Sequence, residues 1–144
     1  LARGVELASA KELDLPGHPD PHGPVLAVID ARRGEVFAAV YRHYRCTMEP
    51  TAMPPGELAE RVAARREWGR SPMLGVGDGA VRFRAELERA GVAVPSDSSR
   101  AHRVSGLMVA RLGRGREPVD RDALLPDYRR EPDAKPRSPE SLPP

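Results

Sequence analysis

Two aspartates stand where carboxylates could hold a divalent metal ion. Asp30 follows the apolar run at residues 25–29, and Asp78 follows a second run at residues 73–76. Both runs are typical of buried strands, and neighbouring strand ends would bring the carboxylates together, as a two-metal nuclease requires. Such an enzyme also needs carboxylates from its helices, and the last predicted helix, residues 101–112, contains none. The alternative is that Asp30 caps a hairpin turn and Asp78 caps the following helix.

A glycine-rich turn, GVGDGA, occupies residues 75–80. Gly77, Asp78 and Gly79 are its candidate cofactor-binding residues, because glycines at a helix N-terminus let a phosphate or an adenosine approach the backbone amides. The turn matches neither a dinucleotide-binding fingerprint nor a P-loop. The alternative is a tight turn that needs glycine for its backbone geometry.

Exposed arginines form the third candidate group. Arg32 and Arg33 lie between two apolar runs, and Arg129 and Arg130 lie near the end of the chain. Their guanidinium groups could contact RNA phosphates or a partner protein. No aromatic residues interleave with them to stack bases, however. The net charge is only +2, with 23 basic and 21 acidic residues, which is also typical of a surface laced with ion pairs.

Other side chains offer little chemistry. Cys46 is the only cysteine, which excludes an internal disulfide and a cysteine-based metal site and suits the cytoplasm. His18 and His22 have helical spacing but lie in a proline-rich segment, where a helix is excluded. No apolar run approaches the roughly 20 residues that cross a membrane.

The pattern of apolar residues predicts the elements that carry these side chains. We expect strands at residues 25–29, 36–41, 45–49, 73–76 and 92–94, and helices at 57–68, from about 80 to 90, and at 101–112. Three strands followed by βαβ crossovers, in the order β-β-β-α-β-α-β-α, require a mixed sheet covered by helices. This α/β order is that of the ribonuclease H-like fold.

The last two predicted helices should present apolar side chains to the core. Their expected core residues are Phe83, Leu87, Ala90, Val104, Leu107, Met108 and Leu112. Composition divides the chain into a proline-rich linker at 1–24, a compact lobe at 25–130 and a disordered tail at 131–144.

Three blocks in order resemble the second lobe of the TsaB (YeaZ) family. They are IDARRGEVFAAVY at residues 29–41, GVGDGA at 75–80 and PDYRREPDAKPR at 126–137. The resemblance implies one lobe of a fold that the actin-like ATPase superfamily uses twice. Family members begin with another lobe bearing an IDTS-like strand, which this sequence lacks. Residues 1–24 are therefore expected to be the linker from a missing N-terminal lobe.

The resemblance implies a cytoplasmic subunit without chemistry of its own. Such a subunit pairs with the catalytic subunit TsaD, which binds ATP and metal and transfers a threonylcarbamoyl group to adenosine 37 of tRNA. A TsaE-type ATPase and a second TsaB copy are further expected partners, while tRNA is contacted indirectly. No cofactor is expected in this chain. The alternatives are a metal-dependent or nucleotide-dependent enzyme of the same fold, or a direct RNA-binding module.

Overall fold

The computed structural model describes residues 23–43, 45–64 and 73–125. Several predictions fall outside these ranges: most of the 1–24 linker, the tail at 131–144, Arg129 and Arg130, and the end of the first predicted helix. Among the described residues, none of the helices is long and apolar enough to span a membrane.

The described elements follow one another as three strands, then strands alternating with helices. They are β1 (Val25–Arg32), β2 (Glu35–Arg42), β3 (Arg45–Met53), α1 (Pro55–Ala64), β4 (Met73–Val76), α2 (Asp78–Arg82), α3 (Arg84–Arg89), β5 (Val92–Ala93) and α4 (Gly106–Gly113), with 3₁₀ turns at Arg100–His102 and Arg121–Ala123. The strands form a mixed sheet in the order β3-β2-β1-β4-β5.

The sheet brings the two candidate aspartates together at the carboxyl ends of neighbouring strands. β1 lies at its centre, antiparallel to β2 and parallel to β4. The main-chain amide of Leu74 donates to the carbonyl oxygen of Pro24 at 2.9 Å, so the pairing of β1 with β4 begins before β1 itself. Parallel neighbours end on the same side of a sheet, which places Asp30 beside Asp78.

A two-residue turn at Arg33 and Gly34 joins β1 to β2. Their φ angles are 54° and 81°, the positive pair that a type I′ turn requires. Arg32 before the turn also has a positive φ, 66°, next to an irregularity in the strand pairing. This left-handed conformation costs non-glycine residues roughly 1–2 kcal/mol each. The hairpin tip is therefore strained at two consecutive arginines.

β3 is longer than expected, since it continues through Pro50 to Met53 instead of ending before the proline. Proline lacks an amide hydrogen and is tolerated on an edge strand, where one row of amides points away from the ladder. β3 is such an edge strand, and its pairing with β2 is irregular on either side of Val40.

The main core lies between one face of the sheet and helices α1 and α3. Leu26 and Val28 of β1 pack with Leu58 of α1 and Leu87 of α3, and all four are fully buried. Burying each of these side chains stabilises the fold by about 1.5–3 kcal/mol. The expected core role of Leu87 is confirmed.

The second predicted helix is interrupted. It begins at Asp78, breaks at Phe83, whose φ and ψ are −109° and 32°, and resumes as α3. Phe83 is partly buried against the core. Immediately after the break, the guanidinium of Arg84 donates to the carbonyl oxygens of Val94 and Pro95, both at 2.6 Å. This arginine ties the start of α3 to the loop after β5.

The prediction for residues 101–112 is wrong in two respects. The first part is a 3₁₀ turn, and α4 starts only at Gly106, after Ser105 accepts a hydrogen bond from the amide of Met108. Val104 and Leu107 were expected in the core but are 68% and 59% exposed. On this second face of the sheet, Ala101 of the 3₁₀ turn packs against Val25, Leu74 and Val76. Met108 and Leu112 are only half-buried.

Candidate functional site

The structure brings Asp30 and Asp78 together at the ends of β1 and β4. The main-chain amide of Asp30 donates to Asp78 Oδ1 at 3.2 Å, and the amide of Gly79 donates to the same oxygen at 2.9 Å. Asp78 thus links the end of β1 to the start of α2. Asp78 is the first residue of α2, and Gly77 is the N-cap, so the Asp78 side chain accepts from a first-turn amide without occupying the cap position expected for it.

The carboxylate of Asp30 is occupied by positively charged and amide donors. Its Oδ1 accepts from the amide of Arg32 at 2.9 Å, which is the expected turn-capping bond. Its Oδ2 lies 2.6 Å from a guanidinium nitrogen of Arg82 and 3.7 Å from one of Arg32. Only 8% of the Asp30 side chain is exposed.

These donors also act on the ionisation of Asp30. The hydrogen bond from the Arg32 amide, followed by that from the Arg82 side chain, holds the pKa of Asp30 below its ordinary value. The charge that would attract a metal ion is already balanced by Arg82. Within the described ranges, no three His, Cys, Asp or Glu side chains form a group that could hold a metal.

The glycine-rich turn is explained by close packing. A Cβ on Gly79 would lie 2.9 Å from the carbonyl carbon of Ile29 and 3.0 Å from the amide nitrogen of Asp30. Gly77 has φ 110° and ψ 169°, a conformation that essentially only glycine adopts. Both glycines are needed for α2 to start directly against the end of β1.

The turn's amides are also occupied. The amide of Gly77 donates to His102 Nδ1 at 3.1 Å, so the ring hydrogen sits on Nε2, 3.3 Å from the carbonyl oxygen of Pro95. The amide of Gly79 donates to Asp78 Oδ1. Neither amide is available to a phosphate in this arrangement, and the Asp78 carboxylate would repel one. These contacts join β4, α2 and the 3₁₀ turn.

Arg32 and Arg33 are exposed at the hairpin tip, and the Arg32 side chain is 83% exposed. Arg129 and Arg130 lie outside the described residues. The tip is therefore the part of the predicted arginine group that the structure places, next to Asp30.

Sequence reasoning missed Arg82, Arg84 and His102. Arg84 is held by Glu88 and Asp97 as well as by two carbonyls. Burial lowers the pKa of Arg84, but the hydrogen bonds to Asp97 and Glu88 outweigh it and raise the pKa overall. The only available signal was the spacing of Arg82 from Asp78, since residues four apart share one face of a helix.

The surroundings of Cys46 disfavour an activated thiolate. Burial and the neighbouring Glu49 charge raise the pKa of its thiol. The sulfur lies 3.1 Å from the carbonyl oxygen of Met48. A raised pKa disfavours the thiolate, the form that attacks substrates and binds metals.

The described residues have a YeaZ-like fold, a mixed α/β architecture on a five-stranded sheet. The chain is similar to a solved structure described as an uncharacterized protein with similarity to peptidase YeaZ from Pseudomonas aeruginosa. The two share 23% identity with a TM-score of 0.58, over 90% of this chain and 56% of that one. The chain thus spans about half the length of that protein. No protein-family model matches the sequence, and no curated protein does.

Proposed function

We propose that this chain is the C-terminal, ribonuclease H-like lobe of a TsaB-type subunit. In this role it supports threonylcarbamoyl transfer to adenosine 37 of tRNA by pairing with a TsaD-type catalytic subunit. The observation that carries the proposal is the likeness to a YeaZ-similar structure over 90% of the chain. It is supported by the ordered blocks at residues 29–41, 75–80 and 126–137.

A role without catalysis is supported by the state of the candidate groups. The Asp30 carboxylate is neutralised by Arg82. The amides of Gly77 and Gly79 donate hydrogen bonds to His102 and Asp78 respectively. These contacts support a structural junction over a reacting centre. In the proposed complex, ATP and metal belong to the TsaD-type and TsaE-type partners.

Co-purification with a TsaD-type subunit from the same source tests the proposal. A tagged TsaD-type subunit should retain the untagged chain through size-exclusion chromatography. Threonylcarbamoyl transfer to tRNA should then need both proteins, with none from this chain alone. Failure to co-elute at micromolar concentrations, with transfer unaffected by adding the chain, would contradict the proposal.

The hairpin tip provides a matched pair of variants for the same experiment. Reversing the charge with Arg32→Glu and Arg33→Glu tests the predicted contact site, while Arg45→Glu on edge strand β3 is the control. If the tip contacts the partner, co-elution should weaken in the tip variant alone. If the chain is instead an RNA-binding module, wild type should bind tRNA directly with an affinity that falls steeply with salt.

A further inference from the structure

Helix α4 (Gly106–Gly113) is apolar except at Arg111 but buries none of its residues. Leu107, Met108, Val109 and Ala110 follow one another, and Leu112 comes next after Arg111. A helix with apolar side chains on most of its circumference normally lies inside a protein or against another apolar surface. α4 therefore has the composition of a covered helix in an exposed position.

The exposed apolar side chains of α4 lie on two sides of the helix. Successive helical residues are about 100° apart, which sets Leu107 and Val109 on either side of the stripe formed by Met108 and Leu112. That stripe is half-buried, whereas Leu107 and Val109 are 59% and 58% exposed. Val104, just before the helix, is 68% exposed. The described residues therefore leave these three apolar side chains largely uncovered.

The chain from Ser98 to Arg116, which includes α4, carries charge of one sign. Between Asp97 and Glu117 the sequence contains no carboxylate. The same stretch contains five exposed arginines: Arg100, Arg103, Arg111, Arg114 and Arg116. The apolar surface is thus bordered by guanidinium groups before, beside and after it. A partner that covers the apolar side chains must also meet this positive rim.

The side chains of this surface favour some kinds of binding partner over others. A second copy in a two-fold dimer would set arginines against arginines, which costs several kcal/mol. RNA would not use exposed leucine and valine, and residues 100–125 contain no Phe, Tyr or Trp for base stacking. A helix of eight residues is only about 12 Å long, which offers a membrane little buried area.

We propose that α4 and its flanking arginines dock an acidic helical surface of a partner protein, in which apolar side chains are bordered by Asp and Glu. Leu107, Val109 and Val104 supply the apolar contact, and Arg111 and Arg114 meet the carboxylates. The proposal rests on this surface and does not depend on the role in tRNA modification.

The test uses the full 144-residue chain and two synthetic helical peptides. One peptide carries a leucine stripe bordered by glutamates, and the other has lysine in place of each glutamate. By fluorescence anisotropy the chain should bind the glutamate peptide at least about tenfold more tightly than the lysine peptide. Leu107→Ser with Val109→Ser should abolish binding. Arg111→Glu with Arg114→Glu should reverse the preference between the two peptides.

Matched controls separate docking from folding. Leu125→Ser changes another exposed apolar side chain, 83% exposed after the last 3₁₀ turn, and Arg45→Glu reverses another exposed arginine. Both controls should bind the glutamate peptide like wild type, and all variants should keep the wild-type circular dichroism spectrum. Reversal of peptide preference is a readout that a purely structural role would not produce.

Four outcomes would overturn the proposal. They are no binding of the glutamate peptide at about 1 mM, self-association that Leu107→Ser with Val109→Ser removes, co-sedimentation with phosphatidylserine vesicles instead of peptide binding, and salt-sensitive tRNA binding that the arginine variant alone removes. None of these measurements uses a TsaD-type subunit, so the result is independent of the co-purification experiment.

Discussion

The ionised carboxylate of Asp30 stabilises the hairpin, and this charge is lost progressively as the pH falls through the pKa of Asp30. Because its pKa is lowered in the folded state, the unfolded chain binds more protons as the pH falls past the ordinary value of 3.8. The stabilisation by Asp30 is therefore complete above that value and is lost as the pH falls through the lower folded-state pKa. The direction follows from the donors around the carboxylate, Arg32 and Arg82.

Replacing Asp30 with asparagine isolates this charge. The amide side chain would keep an oxygen for the Arg32 backbone amide but lose the ion pair with Arg82. We expect Asp30→Asn to unfold at lower urea than wild type above about pH 5. The difference should shrink as the pH falls below 3.8. Asp122→Asn, 83% exposed beside Arg121, controls for the loss of a surface charge. A difference of equal size at high and low pH would contradict the assignment.

Gly79 is the residue at which added volume should cost most. A Cβ there would meet the backbone of Ile29 and Asp30 at 2.9 and 3.0 Å, and a backbone cannot move aside as a flexible side chain can. We expect Gly79→Ala to lower the free energy of unfolding by about 1–3 kcal/mol. Urea denaturation followed by circular dichroism measures it.

Gly56 provides the matched control for that substitution. It is an exposed helical glycine in α1, and a Cβ there meets nothing within 4 Å. Gly56→Ala should raise the free energy of unfolding by up to about 1 kcal/mol, since alanine favours the helix. If both variants behaved alike, the close approach of α2 to β1 would not explain Gly79.

The adjacency of Asp30 and Asp78 was predictable from the sequence, whereas the groups that bind their carboxylates were not. Apolar runs located the two strands, and the usual strand order of the ribonuclease H-like fold made them neighbours. The neutralising group, Arg82, comes from a helix whose orientation depends on Gly79 fitting against β1. His102 comes from a turn after β5 that has no periodic pattern. Side chains that converge from distant loops leave no local signal in a sequence.

At the scale of elements, the hairpin turn carries a residue that suits it poorly. Type I′ turns favour Asn followed by Gly, and here Arg33 precedes Gly34. We expect Arg33→Asn to raise the free energy of unfolding by about 1 kcal/mol, because asparagine tolerates positive φ better. Arg33→Val should lower it by a similar amount. Thermal denaturation of both variants measures the change.

A loss of stability in both Arg33 variants would mean that the arginine side chain matters more than the turn conformation. Strained residues often persist where they serve recognition. If Arg33→Asn is stabilising and also weakens binding of a TsaD-type subunit, the strain is retained for that contact.

Strands were predictable more closely than the last helix, for a physical reason. A buried strand reads as a continuous apolar run whatever covers it, as in β1 and β4. The apolar pattern of α4 predicts that the helix packs against another surface, but it does not indicate which one. The expectation that it turns towards this domain's core was therefore wrong for Val104 and Leu107, which are exposed.

At the scale of the whole molecule, the two faces of the sheet are unequal. Helices α1 and α3 cover one face with the main core, whereas on the other face the described residues add mainly Ala101 and leave Ile29 48% exposed. Apolar surface left on one side of a sheet is typical of a lobe that works against another body. The described residues therefore cover one face of the sheet far more completely than the other.

The enzyme alternatives predict ligand binding by the isolated chain. A ligand at a hundredfold excess over its Kd stabilises the folded state by about 2.7 kcal/mol, which a thermal denaturation scan detects. We expect neither Mg²⁺ nor ATP with Mg²⁺ to raise the Tm, because Arg82 neutralises Asp30 and the amides of Gly77 and Gly79 already donate hydrogen bonds within the chain. Asp30→Asn with Asp78→Asn should respond to these ligands as wild type does. A Tm rise in wild type that this double variant loses would instead establish a metal or nucleotide site at the strand ends, and would favour an enzyme of the same fold over a non-catalytic subunit.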